Sequence, residues 1–110
     1  MSEPYLLIRT GKANLQRKKY SEAIAEFTRV IEIVNSLFTQ SKKTANWCIK
    51  CADQIKSYLL VSKTQSISDF SQLWFDLGDL FEKLKQVKKA KQCEKIALKI
   101  FDAFVIASKK

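Results

Sequence analysis

The chain has 110 residues, 46% of them hydrophobic, including seven Phe, three Tyr and two Trp. That is the length of one domain, too apolar for intrinsic disorder and too short for a separate catalytic domain. Twenty Lys and Arg against eleven Asp and Glu give a formal charge of +9, and there is no His. The charge suits anionic partners, although it equally serves solubility. The missing imidazole removes the usual general base near neutral pH, histidine-based triads and every zinc site that needs one.

Apolar residues recur at helical spacing along nearly the whole chain and Pro4 is the only proline, so the expected fold is all-α, with about five antiparallel helices and no strands. The first helix should run from about Pro4 to Arg17. The second, with Ser21 as its expected cap, sets Ala23, Phe27, Val30, Val34 and Leu37 on one face. Ala13 and Ala23 are small enough for a close crossing, which makes residues 4–38 a helical hairpin. The middle segment, 42–62, places Cys48, Cys51, Ile55, Tyr58 and Leu59 on one side and reads as one helix or as a degenerate repeat.

"SKTQSISD", from Ser62 to Asp69, is a connection, with Ile67 just ahead of an expected cap at Ser68. A second hairpin over 69–107 follows. Its first helix carries Leu73, Trp74, Leu77, Leu80, Phe81 and Leu84, and its second carries Ala90, Cys93, Ala97, Phe101 and Phe104. On that last helix Lys88, Lys91, Lys95 and Lys99 fall in a narrow sector opposite the apolar one. They form either a solvated edge or an anion-contacting one.

Little in the sequence supports catalysis. Cys48 and Cys51 share a helical face that is otherwise apolar, and Cys93 is the only other cysteine, so packed thiols are expected rather than a metal site. Gly11-Lys12 lacks the glycines and strand context of a phosphate loop. Asp76, Asp79 and Glu82 read as an acidic, solvated face. The expectation is therefore a non-enzyme with no metal, cofactor or small-molecule substrate. No apolar run is long enough to span a membrane or form the core of a secretory signal, and the odd cysteine count fits reduced thiols. The expected compartment is the cytoplasm, with the nucleus left open.

Comparing the chain with itself reveals a repeat. The segment starting at Leu73 repeats the first hairpin 67 residues later, aligning Gly11 with Gly78, Ala23 with Ala90 and Val30 with Ala97. On these residues the chain resembles the tetratricopeptide repeat family, whose period is 34 residues. Trp74, Leu77, Gly78, Phe81, Ala90 and Ala97 match its pattern in the second copy, as do Leu7, Gly11, Tyr20, Ala23 and Phe27 in the first. Asn14 and Glu94 stand where the family usually has aromatics. A weaker resemblance, over residues 4–62, is to the three-helix microtubule-interacting-and-trafficking domain, which leaves the second hairpin unexplained.

The stronger resemblance implies a short right-handed array of hairpins holding a partner on its first helices. The matching positions are Tyr5, Ile8, Lys12 and Leu15 in the first copy, and Gln72, Phe75, Asp79 and Glu82 in the last. Ile8 and Lys12 occupy the places of one family specialisation that clamps a terminal carboxylate, so that clamp is not carried over. The function this implies is a protein interaction module or small adaptor subunit for an acidic or amphipathic partner. The alternative is a basic helical protein touching nucleic-acid backbone without sequence specificity through Lys88, Lys91, Lys95 and Lys99. Phe101, Phe104, Val105 and Ile106 lack an obvious cover, which also suggests an oligomer. Trp47 is expected in the core or an interface.

Overall fold

The computed structural model describes residues 2–108. Five α-helices follow in order: α1 (Ser2–Gln16), α2 (Tyr20–Gln40), α3 (Ala45–Val61), α4 (Ser71–Lys83) and α5 (Val87–Ser108). Short 3-10 turns at Lys42–Thr44, Thr64–Ser66 and Ser68–Phe70 connect the middle of the chain. Among the described residues there is no strand, so the expected five-helix, all-α domain is observed. Pro4 lies in the first turn of α1, where its missing N–H is not needed. The middle segment is a single helix, α3, followed by its 3-10 turns.

The two hairpins, α1 with α2 and α4 with α5, are the most extensively packed helix pairs. They repeat at the 67-residue offset down to their turns. After α1, the Lys19 amide reaches back to the Asn14 carbonyl at 2.8 Å, and after α4 the Gln86 amide reaches the Phe81 carbonyl at 2.8 Å. Each turn is made by a left-handed residue, Lys18 (φ 59°) or Lys85 (φ 63°). This is the closure that satisfies the last carbonyls of a helix and usually recruits glycine.

Neither expected cap forms. α2 begins one residue before Ser21, whose hydroxyl donates to the Glu22 carboxylate at 3.2 Å. Ser68 opens a 3-10 turn, and the start of α4 has no side-chain cap. Instead the Ser71 hydroxyl donates across the hairpin to the Ala97 carbonyl at 3.2 Å, and Ile67 packs against the core.

The glycines lie between the paired helices. A Cβ on Gly11 would come within 2.8 Å of two ring atoms of Phe27, and one on Gly78 within 3.3 Å of the Ala90 carbonyl oxygen and 3.4 Å of the Cys93 Cβ. Ala23 and Ala97 are fully buried and Ala90 nearly so. The close approach at Gly78 is to Ala90, as the repeat suggests; at Gly11 it is to Phe27. The copies solve the same packing problem differently. Asn14 hydrogen bonds to the Glu26 carboxylate across the first hairpin, and the positions 67 residues on are Phe81 and Cys93, both fully buried.

α3 packs on α1, α2 and α4, and α4 packs on α2 as well as α3. The result is one continuous core around Phe27, Ile55, Leu59, Phe70, Trp74 and Phe81. Buried Thr64 donates to the Leu59 carbonyl at 3.0 Å and ties the end of α3. Between α3 and α5, Lys89 pairs with Asp53 at 2.8 Å and Lys56 hydrogen bonds to Gln92.

Candidate binding face

The four first-copy positions occupy one stripe of α1, at spacings of three and four residues. Its two aliphatic positions are closed, whereas Tyr5 and Lys12 stay exposed at its edge. Ile8 and Leu15 are 2% and 4% exposed, which corrects the expectation that they face outward. Tyr5 stacks edge-on against Trp47, with ring centroids 5.9 Å apart, and the Lys12 ammonium lies 5.0 Å from the centre of the Tyr58 ring. Trp47 and Tyr58 both belong to α3. The helix that follows the first hairpin therefore packs along the stripe, and burial of Ile8 and Leu15 follows from their apolar character.

The matching stripe of α4 is open. Phe75 is half-buried, and Gln72, Asp79 and Glu82 are exposed. Two clefts flank it. The larger, about 490 Å³, lies between α2 and α4 and is lined by Thr28, Ile31, Glu32, Asn35, Asp76, Asp79, Leu80 and Lys83. The smaller, about 200 Å³, lies between α4 and α5 and includes Phe75, Gly78, Asp79, Glu82 and Glu94. Asp79 borders both. Phe75, Asp79 and Glu82 are thus brought together on one face, while Tyr5, Ile8, Lys12 and Leu15 lie elsewhere.

The character of this face is acidic with an apolar floor. Glu32, Asp76, Asp79, Glu82 and Glu94 surround Ile31, Leu80 and Phe75. The one cation in the larger cleft, Lys83, donates to the Asn35 side chain at 2.8 Å. The α2 wall was missed in the sequence. Its signal was present, because Thr28, Glu32 and Asn35 recur at spacings of four and three, a polar stripe beside the apolar one.

On α5, Lys88, Lys91, Lys95 and Lys99 are all exposed and form no ion pair among the described residues. Lys89, outside that edge, is the lysine engaged by Asp53. A basic edge and an acidic face therefore coexist on one small domain.

The three thiols are buried and unbridged. Burial pushes the Cys51 thiol up from 9.0 to about 11, helped by neighbouring Cys48. Burial likewise raises Cys93 to about 11, with Lys56 pulling it down and Asp53 pushing it up. Cys48 donates weakly to the Val34 carbonyl at 3.7 Å. Cys51 and Cys93 are therefore poor nucleophiles and poor metal ligands, because both roles need the thiolate. Among the described residues no group of three or more His, Cys, Asp or Glu is arranged to hold a metal ion, and no helix is long and apolar enough to cross a membrane.

No protein-family model matches the chain, and neither a curated protein nor a solved structure matches it.

Proposed function

We propose that the chain is a non-catalytic, tetratricopeptide-like binding module that holds an amphipathic, lysine- or arginine-bearing helical segment of another protein on the face of α4. The observation that carries this reading is the pairing of an open α4 stripe with acidic clefts on both sides, while α3 packs along the equivalent stripe of α1 and engages Tyr5 and Lys12. An amphipathic helix would set its apolar residues over Ile31, Leu80 and Phe75 and its cations beside Glu32, Asp79 and Glu82. An acidic partner is disfavoured on this face by like charge.

The repeat architecture is part of the proposal. In an array of hairpins each unit contacts only its neighbours. Here the middle unit consists of α3 alone, so α4 reaches α2 in the place where a second helix of that unit would lie. The result is a shortened array with one usable first-helix surface.

The test is a binding titration by fluorescence anisotropy with three probes: an amphipathic Leu/Lys helical peptide, its Leu/Glu counterpart and a short DNA duplex. The Leu/Lys peptide should bind, and the double variant Asp79→Lys/Glu82→Lys should weaken it at least tenfold, about 1.4 kcal/mol. Equal binding of both peptides would contradict docking on the acidic face, and salt-sensitive binding of the duplex alone would favour the nucleic-acid reading through the lysine edge.

A further inference from the structure

The stripe of α5 that packs on α4 continues past the end of α4. α5 has 22 residues and α4 has 13, or about 33 Å against about 20 Å of helix. The hairpin is antiparallel, and its register is fixed where Ser71, the first residue of α4, hydrogen bonds to the Ala97 carbonyl. Along the stripe Cys93 and Ala97 are fully buried and Ala90 nearly so, but Phe101 and Phe104, in the same angular sector, are 49% and 54% exposed. Leu98, one sector over, is 45% exposed. Phe101 and Phe104 are the continuation of a helix-packing surface for which α4 is too short, and Leu98 flanks it on the side of Lys91.

The overhang borders a cleft of about 340 Å³ lined by Ser68, Asp69, Gln72, Phe75, Phe101 and Phe104. We infer that a second copy of this chain covers it, with the two α5 overhangs crossing about a two-fold axis so that each copy's Phe104 enters the other's cleft. Three features select a second copy. First, the surface is self-complementary: Phe101 and Phe104 project from α5 and also form one wall of the cleft, opposite α4 and the Ser68–Phe70 turn, so ridge and cleft are contiguous, as an isologous contact requires. Second, the charge permits it. Two molecules of charge +9 repel, but Lys88, Lys91, Lys95 and Lys99 lie on the opposite side of α5 from Phe101 and Phe104, and from Ile100 to Ala107 the only charge is Asp102.

Third, the area suffices. Leu98, Phe101 and Phe104, with half-buried Phe75 and Val105 and the polar rim, amount to roughly 500 Å² per copy, or about 1,000 Å² for the pair, the threshold of a specific interface. That size belongs to a reversible dimer rather than an obligate one. The surface meets the α4 face at Gln72 and Phe75 but includes none of the acidic residues of that face.

Sedimentation velocity on the wild-type chain from about 1 to about 200 µM tests this directly. A concentration-dependent monomer–dimer equilibrium is expected, unchanged or tightened when salt is raised, because salt screens the repulsion between copies. Phe104→Glu and, separately, Phe101→Gln should weaken the dimer at least tenfold while far-UV circular dichroism stays wild-type. Asp79→Lys/Glu82→Lys should leave the dimer intact, which separates this contact from the α4 face. A monomer at every concentration, or a dimer that survives both phenylalanine substitutions in folded protein, would overturn the inference.

Discussion

Gly11→Ala probes the crossing of the first two helices. In an exposed helix interior the change should stabilise by about 1 kcal/mol, because alanine orders at lower entropic cost than glycine. Here the new methyl would lie 2.8 Å from two ring atoms of Phe27 and 3.2 Å from a third. Carbon pairs settle at about 3.5–4.0 Å, so the ring or the helix must retreat by roughly 0.7–1.2 Å. Phe27 is fully buried and has no solvent to move into. Overpacking of this kind costs about 1–3 kcal/mol, so the net expectation is a loss of about 1 kcal/mol.

A double-mutant cycle separates this clash from other causes. Phe27→Leu alone should cost about 1–2 kcal/mol through the cavity it leaves. In that background the added methyl has room, and Gly11→Ala should turn neutral or stabilising, a coupling of about 1–2 kcal/mol. Urea unfolding followed by circular dichroism at 222 nm measures all four proteins. The same substitution at Gly78, whose nearest neighbours are at 3.3 and 3.4 Å, should cost less. If Gly11→Ala stabilises the wild-type chain by the full helix-propensity increment, the close crossing at Gly11 is refuted.

Other expectations follow from individual sites. Lys85→Gly places glycine at φ 63° and should raise stability by about 0.5–1 kcal/mol in the same urea assay, since a left-handed lysine carries strain that glycine does not. Thr64→Val keeps the shape but removes the buried hydrogen bond to the Leu59 carbonyl, and should cost about 1–2 kcal/mol. Cys51 and Cys93, raised to about 11, should resist Ellman's reagent at pH 8 in the folded protein and react on unfolding. These thiols keep their protons in the folded state while the unfolded chain ionises from about pH 8.5, so stability should fall as pH rises from about 9 toward 11. A urea midpoint that is flat or rising over that interval would contradict the burial of these thiols.

The helices were legible because one signal, apolar recurrence at helical spacing, governs nearly every position from Leu7 to Phe104, and no second proline or strand-like alternation competes with it. Their caps were not. Ser21 and Ser68 belong to residue types that favour caps, yet the hairpin turns are closed by the left-handed Lys18 and Lys85 and their backbone bonds, which composition does not announce. The α4 side of the candidate face was legible because Asp76, Asp79 and Glu82 recur at one spacing. The α1 side was misread for a tertiary reason: whether Ile8 and Leu15 face solvent depends on where α3 docks, and α3 also brings the Tyr58 ring to the Lys12 ammonium. The α2 wall went unnoticed because Glu32 and Asn35 line a cleft only when α4 arrives beside them.

The most direct test of the docking face is chemical-shift mapping of the isotope-labelled chain during titration with the Leu/Lys amphipathic peptide. The largest amide shifts should fall on Thr28, Glu32, Phe75, Asp79 and Glu82, the residues of α2 and α4 that border the acidic clefts. Shifts centred on Tyr5, Lys12 and α3, or along Lys88, Lys91, Lys95 and Lys99, would contradict it.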